Sequence, residues 1–295
     1  MPVQAPVQLQ SIADRVEIAP GMLMPRLGMG TWRADAGSET EEELLAGLDL
    51  GFRGIDTAAI YGNEDSVGRS IREARVPREE IFVATKVWNS DQGYRPTLDA
   101  FDAGLGRLGL RYVDLYLIHW PQPRRTLDTW RALEEIHHAG RARAIGVCNF
   151  LPEHLDELLS FANVPPAIDQ VELHPLLPQT ELRAYCDAHG ITVQAWSPLM
   201  RGAVVRVPEL VKIGMRHGKT AAQVALRWIL QNGVTTIPKS VHRSRLAENA
   251  AVFDFELSSE EMETIDALQD ERRVGADPKM IARLSPFMRF VKPPR

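Results

Sequence analysis

Four side chains with complementary chemistry stand at or just after short apolar runs of the sequence: Asp56, Tyr61, Lys86 and His119. Taken singly, each has an ordinary explanation, such as a solvated surface charge for Lys86 or a helix cap for Asp56. Taken together, a Lys86 ammonium paired with Asp56 would favour the phenolate of Tyr61, since a free phenol has a pKa of about 10. The set predicts an acid that can be used near neutral pH.

His119 adds a second group that could hold a substrate oxygen by a hydrogen bond. Preorganised donors to a developing oxyanion are each worth roughly 3 to 4 kcal/mol. A carbonyl that becomes an alkoxide needs this arrangement. The four residues therefore predict carbonyl chemistry, although they do not identify a source of hydride.

A second cluster, Lys239, Ser240 and Arg245, places an ammonium, a hydroxyl and a guanidinium within seven residues. Such a set can bind a dianionic phosphate. The alternative interpretation is a solvated, basic helix start.

Other apparent motifs fail on their context. The GxGxxG pattern at 104–109 closes a helical segment, whereas a dinucleotide fingerprint must follow a strand and open a helix. Residues 218–220 imitate the end of a phosphate-binding loop, but Ile213 stands where that loop needs glycine. The eight histidines include no HExxH, so no metal site is predicted.

The elements that must position these residues are short apolar runs that alternate with segments of helical period. The predicted strands are residues 27–30, 54–56, 81–86, 113–119, 144–148, 167–171, 192–196 and 234–237. The predicted helices lie near 41–50, 66–74, 97–108, 126–139, 152–161, 179–189, 220–231 and 242–250. Thr40 with Glu43 predicts a capping box at the start of the first helix.

Strand followed by helix eight times predicts an α/β fold, a closed (β/α)₈ TIM barrel, with an open doubly wound sheet as the alternative. In a barrel the polar residues that end the strands converge at one mouth. Residues 16–27, with Pro20-Gly21 at the middle, predict a hairpin that plugs the opposite end. We expect a single domain over 1–295, with a core from about 16 to 268 and a C-terminal tail over 269–295.

Composition limits the class of function. The formal charge of the 295 residues is −5, which gives no basic surface for a nucleic acid, although residues 271–295 hold seven Lys or Arg against two Asp or Glu. Two cysteines are too few for a disulfide framework and fit a reducing compartment. No secretion signal and no run of 18 apolar residues is present, so we expect a cytoplasmic protein with no membrane partner.

The sequence resembles the aldo-keto reductases. Residues 54–64, GIDTAAIYGNE, are similar to the signature of that family. Six more segments agree in order and spacing: 86–89 (KVWN), 114–121 (DLYLIHWP), 146–150 (GVCNF), 170–175 (QVELHP), 196–199 (WSPL) and 237–249 (IPKSVHRSRLAEN). The resemblance runs from about residue 16 to about 268, and it looks closest to the bacterial branch that includes the 2,5-diketogluconate reductases.

The resemblance implies a barrel that uses NADPH to reduce aldehydes and ketones to alcohols. The family roles fall on Tyr61 as proton donor, on Lys86 and Asp56 as the residues that tune it, and on His119 as the residue that orients the carbonyl. These are the roles that the residue chemistry assigned independently.

The resemblance also implies the cofactor contacts. Asn149 and Gln170 match positions that hold the nicotinamide carboxamide, and Trp196 matches a stacking aromatic that is usually Tyr. Cys148 replaces the usual Ser, and a thiol is a weaker donor. Lys239, Ser240 and Arg245 match the clamp for the adenosine 2′-phosphate, so NADPH should be preferred over NADH. The full expected set is Thr31, Trp32, Asp56, Cys148, Asn149, Gln170, Trp196, Ser197, Leu199, Lys239, Ser240, Val241, Arg245, Glu248 and Asn249.

Trp32, Trp88 and Trp120 match the walls of the substrate pocket, and their alternative role is core or rim packing. In the family the C-terminal region often lids the pocket, which would bring Phe287 and Phe290 to the substrate. An equal alternative is a helix docked on the barrel flank or a subunit contact, with Met280, Ile281, Leu284, Phe287 and Met288 at helical spacing.

We expect a monomer that reduces the carbonyl group of a small-molecule substrate. Two other functions are alternatives to this one. One is a Schiff-base aldolase that uses Lys86 as its amine. The other is a non-catalytic, NADPH-binding redox regulator, because relatives of the family act as such subunits of membrane channels.

Overall fold

The eight apolar runs form a ring of parallel strands in the computed structural model, which describes residues 9–281. The strands are β3 (Met29–Gly30), β4 (Gly54–Asp56), β5 (Phe82–Val87), β6 (Val113–Ile118), β7 (Ala142–Cys148), β8 (Ile168–Glu172), β9 (Thr192–Trp196) and β10 (Thr235–Thr236). Each strand pairs in parallel with the next one along the chain. All eight predicted strands are confirmed.

Hydrogen bonds close the ring between its first and last segments. The amide of Gly28 donates to the carbonyl of Thr236 at 2.9 Å, and the amide of Thr236 donates to the carbonyl of Arg26 at 2.9 Å. The (β/α)₈ prediction is therefore confirmed, and the open sheet is wrong. β5 and β6 are buried at every position. Burial on both faces explains why these strands are continuous apolar runs without alternation.

A hairpin precedes the barrel, as predicted. It consists of β1 (Arg15–Ala19) and β2 (Met22–Pro25), which pair antiparallel around Gly21 at φ 73°. Ile18 and Met24 pack against a cluster inside the barrel that includes Phe82, near the start of β5. The hairpin thus plugs the end of the barrel where the strands begin, and it leaves the other end for a site.

Ten helices flank the described barrel. They are α1 (Ser38–Asp49), α2 (Glu64–Glu73), α3 (Tyr94–Leu108), α4 (Thr126–His138), α5 (Pro152–Leu159), α6 (Thr180–Ala188), α7 (Pro208–His217), α8 (Ala221–Gln231), α9 (Arg243–Ala250) and α10 (Ser259–Asp266). The eight predicted helices are present within a few residues of their expected ends. The GxGxxG pattern lies in α3 and its C-terminal cap, as the rejection of that motif requires.

Two helices, α7 and α10, were not predicted. Their start signals are nonetheless in the sequence, because Pro208 opens α7 and Ser258 forms a capping box with Glu261 at α10.

The capping box predicted at Thr40 and Glu43 is wrong. α1 begins earlier, after Gly37, so Thr40 lies inside the helix and its hydroxyl donates to the carbonyl of Asp35 at 2.7 Å. Within residues 9–281, no helix is long and apolar enough to cross a membrane.

Candidate active site

The four residues singled out for carbonyl chemistry converge at the end of the barrel where the strands finish. Asp56 is the last residue of β4, Lys86 lies near the end of β5, and His119 directly follows β6. Tyr61 ends a single 3₁₀ turn, Ala59–Tyr61, in the loop after β4. The barrel topology therefore brings together residues that the chain separates by more than sixty positions.

Lys86 is buried and ion-paired. Its Nζ lies 2.5 Å from Oδ1 of Asp56 and also donates to the carbonyl of Thr57 at 3.0 Å. Burial alone would lower the pKa of Lys86, but the charge and hydrogen bond of Asp56, together with smaller effects of Tyr61 and Cys148, hold that pKa above the ordinary value for lysine. The ammonium is therefore stable at this depth. A Schiff base needs an unprotonated amine, so the geometry argues against the aldolase alternative.

Tyr61 lies beside the Lys86 ammonium, whose Nζ is 5.2 Å from the centroid of the phenol ring. Burial raises the pKa of Tyr61, and the charge of Lys86 lowers it only in part. The predicted sign of the Lys86 contribution is confirmed. The prediction that the phenolate is favoured overall is wrong, because desolvation of the charged form is the larger effect. Tyr61 keeps its proton at neutral pH.

His119 is a neutral imidazole in this site. Burial, with a smaller effect from the Lys86 charge, holds its pKa well below the ordinary value for histidine. Its ring contacts those of Tyr61 and Trp88 edge-on, with centroids 5.7 and 5.1 Å apart. Its Nδ1 is buried without a hydrogen-bond partner among the described residues. A neutral imidazole beside a protonated phenol offers two donors to one oxygen atom.

Asn63 holds the loop that carries Tyr61, although the sequence argument gave it no role. It accepts a hydrogen bond of 2.8 Å from the Thr57 hydroxyl, and its amide donates to the carbonyls of Thr31 and Ala34 at 2.9 and 3.1 Å. Thr31 in turn donates to the carbonyl of Asp56 at 3.0 Å. The loops after β3 and β4 therefore form one hydrogen-bonded unit.

The residues predicted to hold a nicotinamide also meet at this end of the barrel. Asn149 adopts φ 64°, and its amide donates to the carbonyl of His119 at 3.0 Å and to Sγ of Cys148 at 3.1 Å. Its Oδ1 accepts a hydrogen bond of 2.9 Å from the indole of Trp196. A left-handed, non-glycine residue is typical of a functional loop. Gln170 is connected to these residues through Asp56, because its Nε2 donates a hydrogen bond of 2.8 Å to Oδ2 of Asp56.

Cys148 is buried, and burial raises the pKa of its thiol well above the ordinary value. The thiol donates to Oε1 of Gln170 at a long 3.6 Å. The weak contact expected between this thiol and a nicotinamide carboxamide stays a prediction.

The predicted phosphate cluster lies in the loop after β10 and at the start of α9. Ser240 is buried, Lys239 is half-buried and Arg245 is exposed. Neither Lys239 nor Arg245 forms an ion pair within residues 9–281. Two unpaired cations beside a buried hydroxyl leave room for an anionic ligand.

The remaining predicted cofactor residues lie in the loops after β9 and β10 and in α9. Ser197 adopts φ 52° after β9, and Leu199 packs on the main core. Val241 is half-buried, Asn249 is buried, and Glu248 accepts a hydrogen bond of 2.5 Å from Thr220.

Two of the three predicted wall residues form one apolar cluster. Trp88 and Trp120 pack with Ile281 of the tail, and Ile60 and Trp196 lie against them. Trp32 lies outside this cluster and is 37% exposed.

Two guanidinium groups flank the Trp32 ring, Arg33 at 4.4 Å and Arg201 at 5.0 Å from its centroid. The sequence argument did not identify either arginine. Both adopt positive φ, which only the folded loops reveal.

Glu172, at the end of β8, holds the tail against the site. Its Oε1 accepts hydrogen bonds from the amide of Val274 at 2.5 Å and from His174 at 3.2 Å. Gly275 lies against the ring of Trp196 so closely that an added Cβ would be 2.2 Å from Cη2. The described residues of the tail therefore contact side chains at the ends of β8 and β9, and the role of the tail as a lid stays a prediction. Leu284, Phe287, Met288 and Phe290 lie outside the described residues.

The residues from 9 to 281 contain no group of three or more His, Cys, Asp or Glu side chains that could hold a metal ion.

Comparisons with known proteins identify the family of this chain. The Aldo/keto reductase family matches residues 26–270. Glyoxal reductase of Bacillus subtilis is 52% identical over 268 residues, which cover 91% of this chain and 97% of that protein.

Two solved structures extend the match. Aldo-keto reductase AKR2E5 of the silkworm Bombyx mori, solved in complex with NADPH, is 34% identical with a TM-score of 0.85, over 91% of this chain and 90% of that one. A structure described as a 2,5-diketo-D-gluconic acid reductase B is 37% identical with a TM-score of 0.85, over 92% and 95%. The chain therefore belongs to the aldo/keto reductase family.

Proposed function

We propose that the chain reduces small aldehydes and ketones to alcohols at the mouth of the barrel, with Tyr61 as the proton donor. The observation that carries the proposal is that the Lys86 ammonium lies beside the protonated Tyr61, with Nζ 5.2 Å from the centroid of the phenol ring. Asp56 holds that ammonium in place, with Oδ1 2.5 Å from Nζ. This arrangement can deliver a proton to an oxygen and stabilise the phenolate that remains.

The residues at the mouth fit NADPH. Buried amides at Asn149 and Gln170 suit a carboxamide, and the half-buried ring of Trp196 suits stacking. The unpaired Lys239 and Arg245 suit the 2′-phosphate, together with the Ser240 hydroxyl. When bound, NADPH supplies a hydride to the carbonyl carbon.

The proposed steps at the protein use groups that are already oriented. Tyr61 and His119 hold the carbonyl oxygen by hydrogen bonds, and Tyr61 releases its proton to that oxygen as negative charge develops there. Lys86 stabilises the resulting phenolate, because the ammonium is charged and close. Asp56 keeps Lys86 in place and is a positioning residue for it.

The substrate class follows from the wall of the pocket. Trp88, Trp120 and Ile281 present apolar surface near His119, which suits small aldehydes with few polar groups. The similarity to a glyoxal reductase supports dicarbonyl substrates such as glyoxal. We propose that the protein is a cytoplasmic monomer of one domain. Its tail forms part of the substrate pocket.

The test is the variant Tyr61→Phe, with glyoxal as substrate and NADPH oxidation as the signal. We expect kcat to fall by about 10² or more, since a positioned proton donor contributes that much. Binding of NADPH, followed by quenching of tryptophan fluorescence, should be unchanged. Tyr94→Phe, which removes an exposed phenol that bonds to Glu135, is the matched control and should retain full activity.

A Tyr61→Phe variant as active as the control would overturn the assignment of the proton donor. A wild-type protein that binds NADPH but reduces neither glyoxal nor any of a panel of aldehydes, diketones and keto sugars would favour the non-catalytic regulator instead.

A further inference from the structure

Glu43 is a buried carboxylate that the proposed reaction does not use. It lies on α1, is 2% exposed, and neither of its two carboxylate oxygens has a hydrogen-bond partner among residues 9–281. A carboxylate that is buried without partners is costly, and such a group binds a proton instead. Burial accordingly raises the pKa of Glu43 to about 8.

The surroundings of Glu43 connect it to the phosphate cluster. The charge of Lys239 lowers the pKa of Glu43, as does the backbone amide of Ser240, which does not reach hydrogen-bond geometry. Glu39, one turn earlier on α1, raises the same pKa. Glu43 therefore lies within electrostatic reach of two of the three residues assigned to the 2′-phosphate.

Two other acidic residues of α1 form ion pairs. Asp49 of α1 lies 3.9 Å from Arg243 of α9, and Glu41 of α1 lies 2.7 Å from Arg69 of α2. Lys239 forms no such pair among the described residues, so it is the cation for which Glu43 and a bound phosphate would compete.

We propose that Glu43 makes binding of the adenosine 2′-phosphate proton-linked: with a proton on Glu43, Lys239 is free to pair with the phosphate, and without it the Glu43 carboxylate competes for Lys239 and repels the dianion. The proposal rests on the assignment of Lys239 to the 2′-phosphate under the proposed function. It makes Glu43 a positioning residue that acts through Lys239.

The sign follows from linkage. A bound dianion makes the neutral form of Glu43 more favourable, so binding takes up a proton, and affinity falls as the pH rises through about 8. If binding raises the pKa of Glu43 by about one unit, affinity is about tenfold lower where Glu43 is fully ionised than where it is fully protonated. The phosphate itself titrates near pH 6 and has the opposite effect, because cations favour its dianion. The ionisations of Glu43 and of the phosphate can therefore be told apart, because they occur at different pH values and change the affinity in opposite directions.

The experiment is calorimetric titration with 2′,5′-ADP and, for comparison, 5′-AMP, which lacks the 2′-phosphate. Titrations in buffers of different ionisation enthalpy give the number of protons taken up, at pH values on both sides of about 8. We expect the wild type to take up protons with 2′,5′-ADP but not with 5′-AMP. Glu43→Gln should abolish the uptake and flatten the dependence of affinity on pH. Glu42→Gln, which removes an exposed charge from the preceding position of the helix, should behave as the wild type.

The outcomes separate the inference from the assignment beneath it. Lack of proton uptake by the wild type, with 2′,5′-ADP binding still weakened by Lys239→Ala, would overturn the role of Glu43 and leave the phosphate site in place. A Lys239→Ala variant that binds 2′,5′-ADP as tightly as the wild type would remove the phosphate site and the inference together. Binding of 5′-AMP checks that each variant is folded, and the wild-type measurement decides the question without any variant.

Discussion

Asp56 binds two partners from different sides of the barrel. Its Oδ1 contacts Nζ of Lys86 at 2.5 Å, and its Oδ2 accepts a hydrogen bond of 2.8 Å from Nε2 of Gln170. Lys86 is on the neighbouring strand β5, whereas Gln170 is on β8, across the ring. One buried carboxylate thus joins the residues proposed for proton transfer to those proposed for the nicotinamide.

The variant Asp56→Asn should therefore affect both stability and turnover. An amide cannot neutralise the Lys86 ammonium, and its NH₂ group must face one of two other donors. Loss of one partner of a buried pair costs about 3 kcal/mol or more. We expect a clear fall in Tm and a kcat for glyoxal reduction that is lower by about tenfold or more.

Asp49→Asn provides the control for that variant, because Asp49 is exposed and lies 3.9 Å from Arg243. It should change Tm little. Wild-type Tm and kcat in Asp56→Asn would show that the buried pair has no role in either property.

The pH dependence of reduction should be flat across the neutral range. Burial raises the pKa of Tyr61 and lowers that of His119, so the donor stays protonated and the imidazole stays neutral between about pH 6.5 and about pH 10. The rate should fall only above that range, as Tyr61 loses its proton. The measurement is kcat against pH at saturating NADPH, with the phenolate followed in the ultraviolet difference spectrum against Tyr61→Phe. An inflection in kcat near neutral pH that belongs to either residue would contradict this account.

The stability of Glu43→Gln should depend on pH relative to the wild type. The pKa of Glu43 is raised from 4.5 to about 8 on folding, so its contribution is fully present below pH 4.5 and is lost as the pH rises to about 8. We expect the variant and the wild type to differ little at acid pH. Above pH 8 the variant should be more stable by about 5 kcal/mol, which corresponds to the rise of the Glu43 pKa from 4.5 to about 8. Denaturant unfolding at both pH values measures the difference, and a constant difference would contradict the burial effect.

The variant Gly275→Ala should change substrate selection. The added Cβ would lie 2.2 Å from Cη2 of Trp196, so the tail must move away from that ring. We expect altered relative kcat/KM values across aldehydes of increasing size, because Ile281 of the same segment packs against Trp88 and Trp120. Gly106→Ala, at an exposed helical position with open space around it, is the control. An unchanged order of substrates would argue against the tail as a wall of the pocket.

Removal of the two unpaired cations should discriminate between cofactors. In Lys239→Ala combined with Arg245→Ala, we expect the KM for NADPH to rise by about tenfold or more, since each charged hydrogen bond contributes about 1.5 to 3 kcal/mol. The KM for NADH should change little, because NADH lacks the 2′-phosphate. Equal effects on both cofactors would contradict the assignment of these residues to that phosphate.

Much of the architecture could be predicted because burial on both faces makes each barrel strand a continuous apolar run. Strands 54–56 and 192–196 have the predicted bounds, and polar residues at or just after the strand ends, such as Asp56 and Ser197, mark the mouth. Helix boundaries were less predictable, as α1 shows, since Gly37 and not Thr40 precedes its first turn. The division into a core over about 16–268 and a tail stays a prediction.

The sequence by itself determined which chemical groups meet, because parallel strands place their ends at one mouth and Asp56, Lys86 and His119 stand at those ends. Only the tertiary structure decided their protonation. The sequence argument and the structure both place Lys86 beside Tyr61. The pKa of Tyr61 nevertheless rises, because desolvation depends on atoms that distant segments bring around the phenol. The same reason applies to Glu43, whose burial against Lys239 no local pattern reveals. It applies also to Glu172, which holds a tail that lies 102 positions further along the chain.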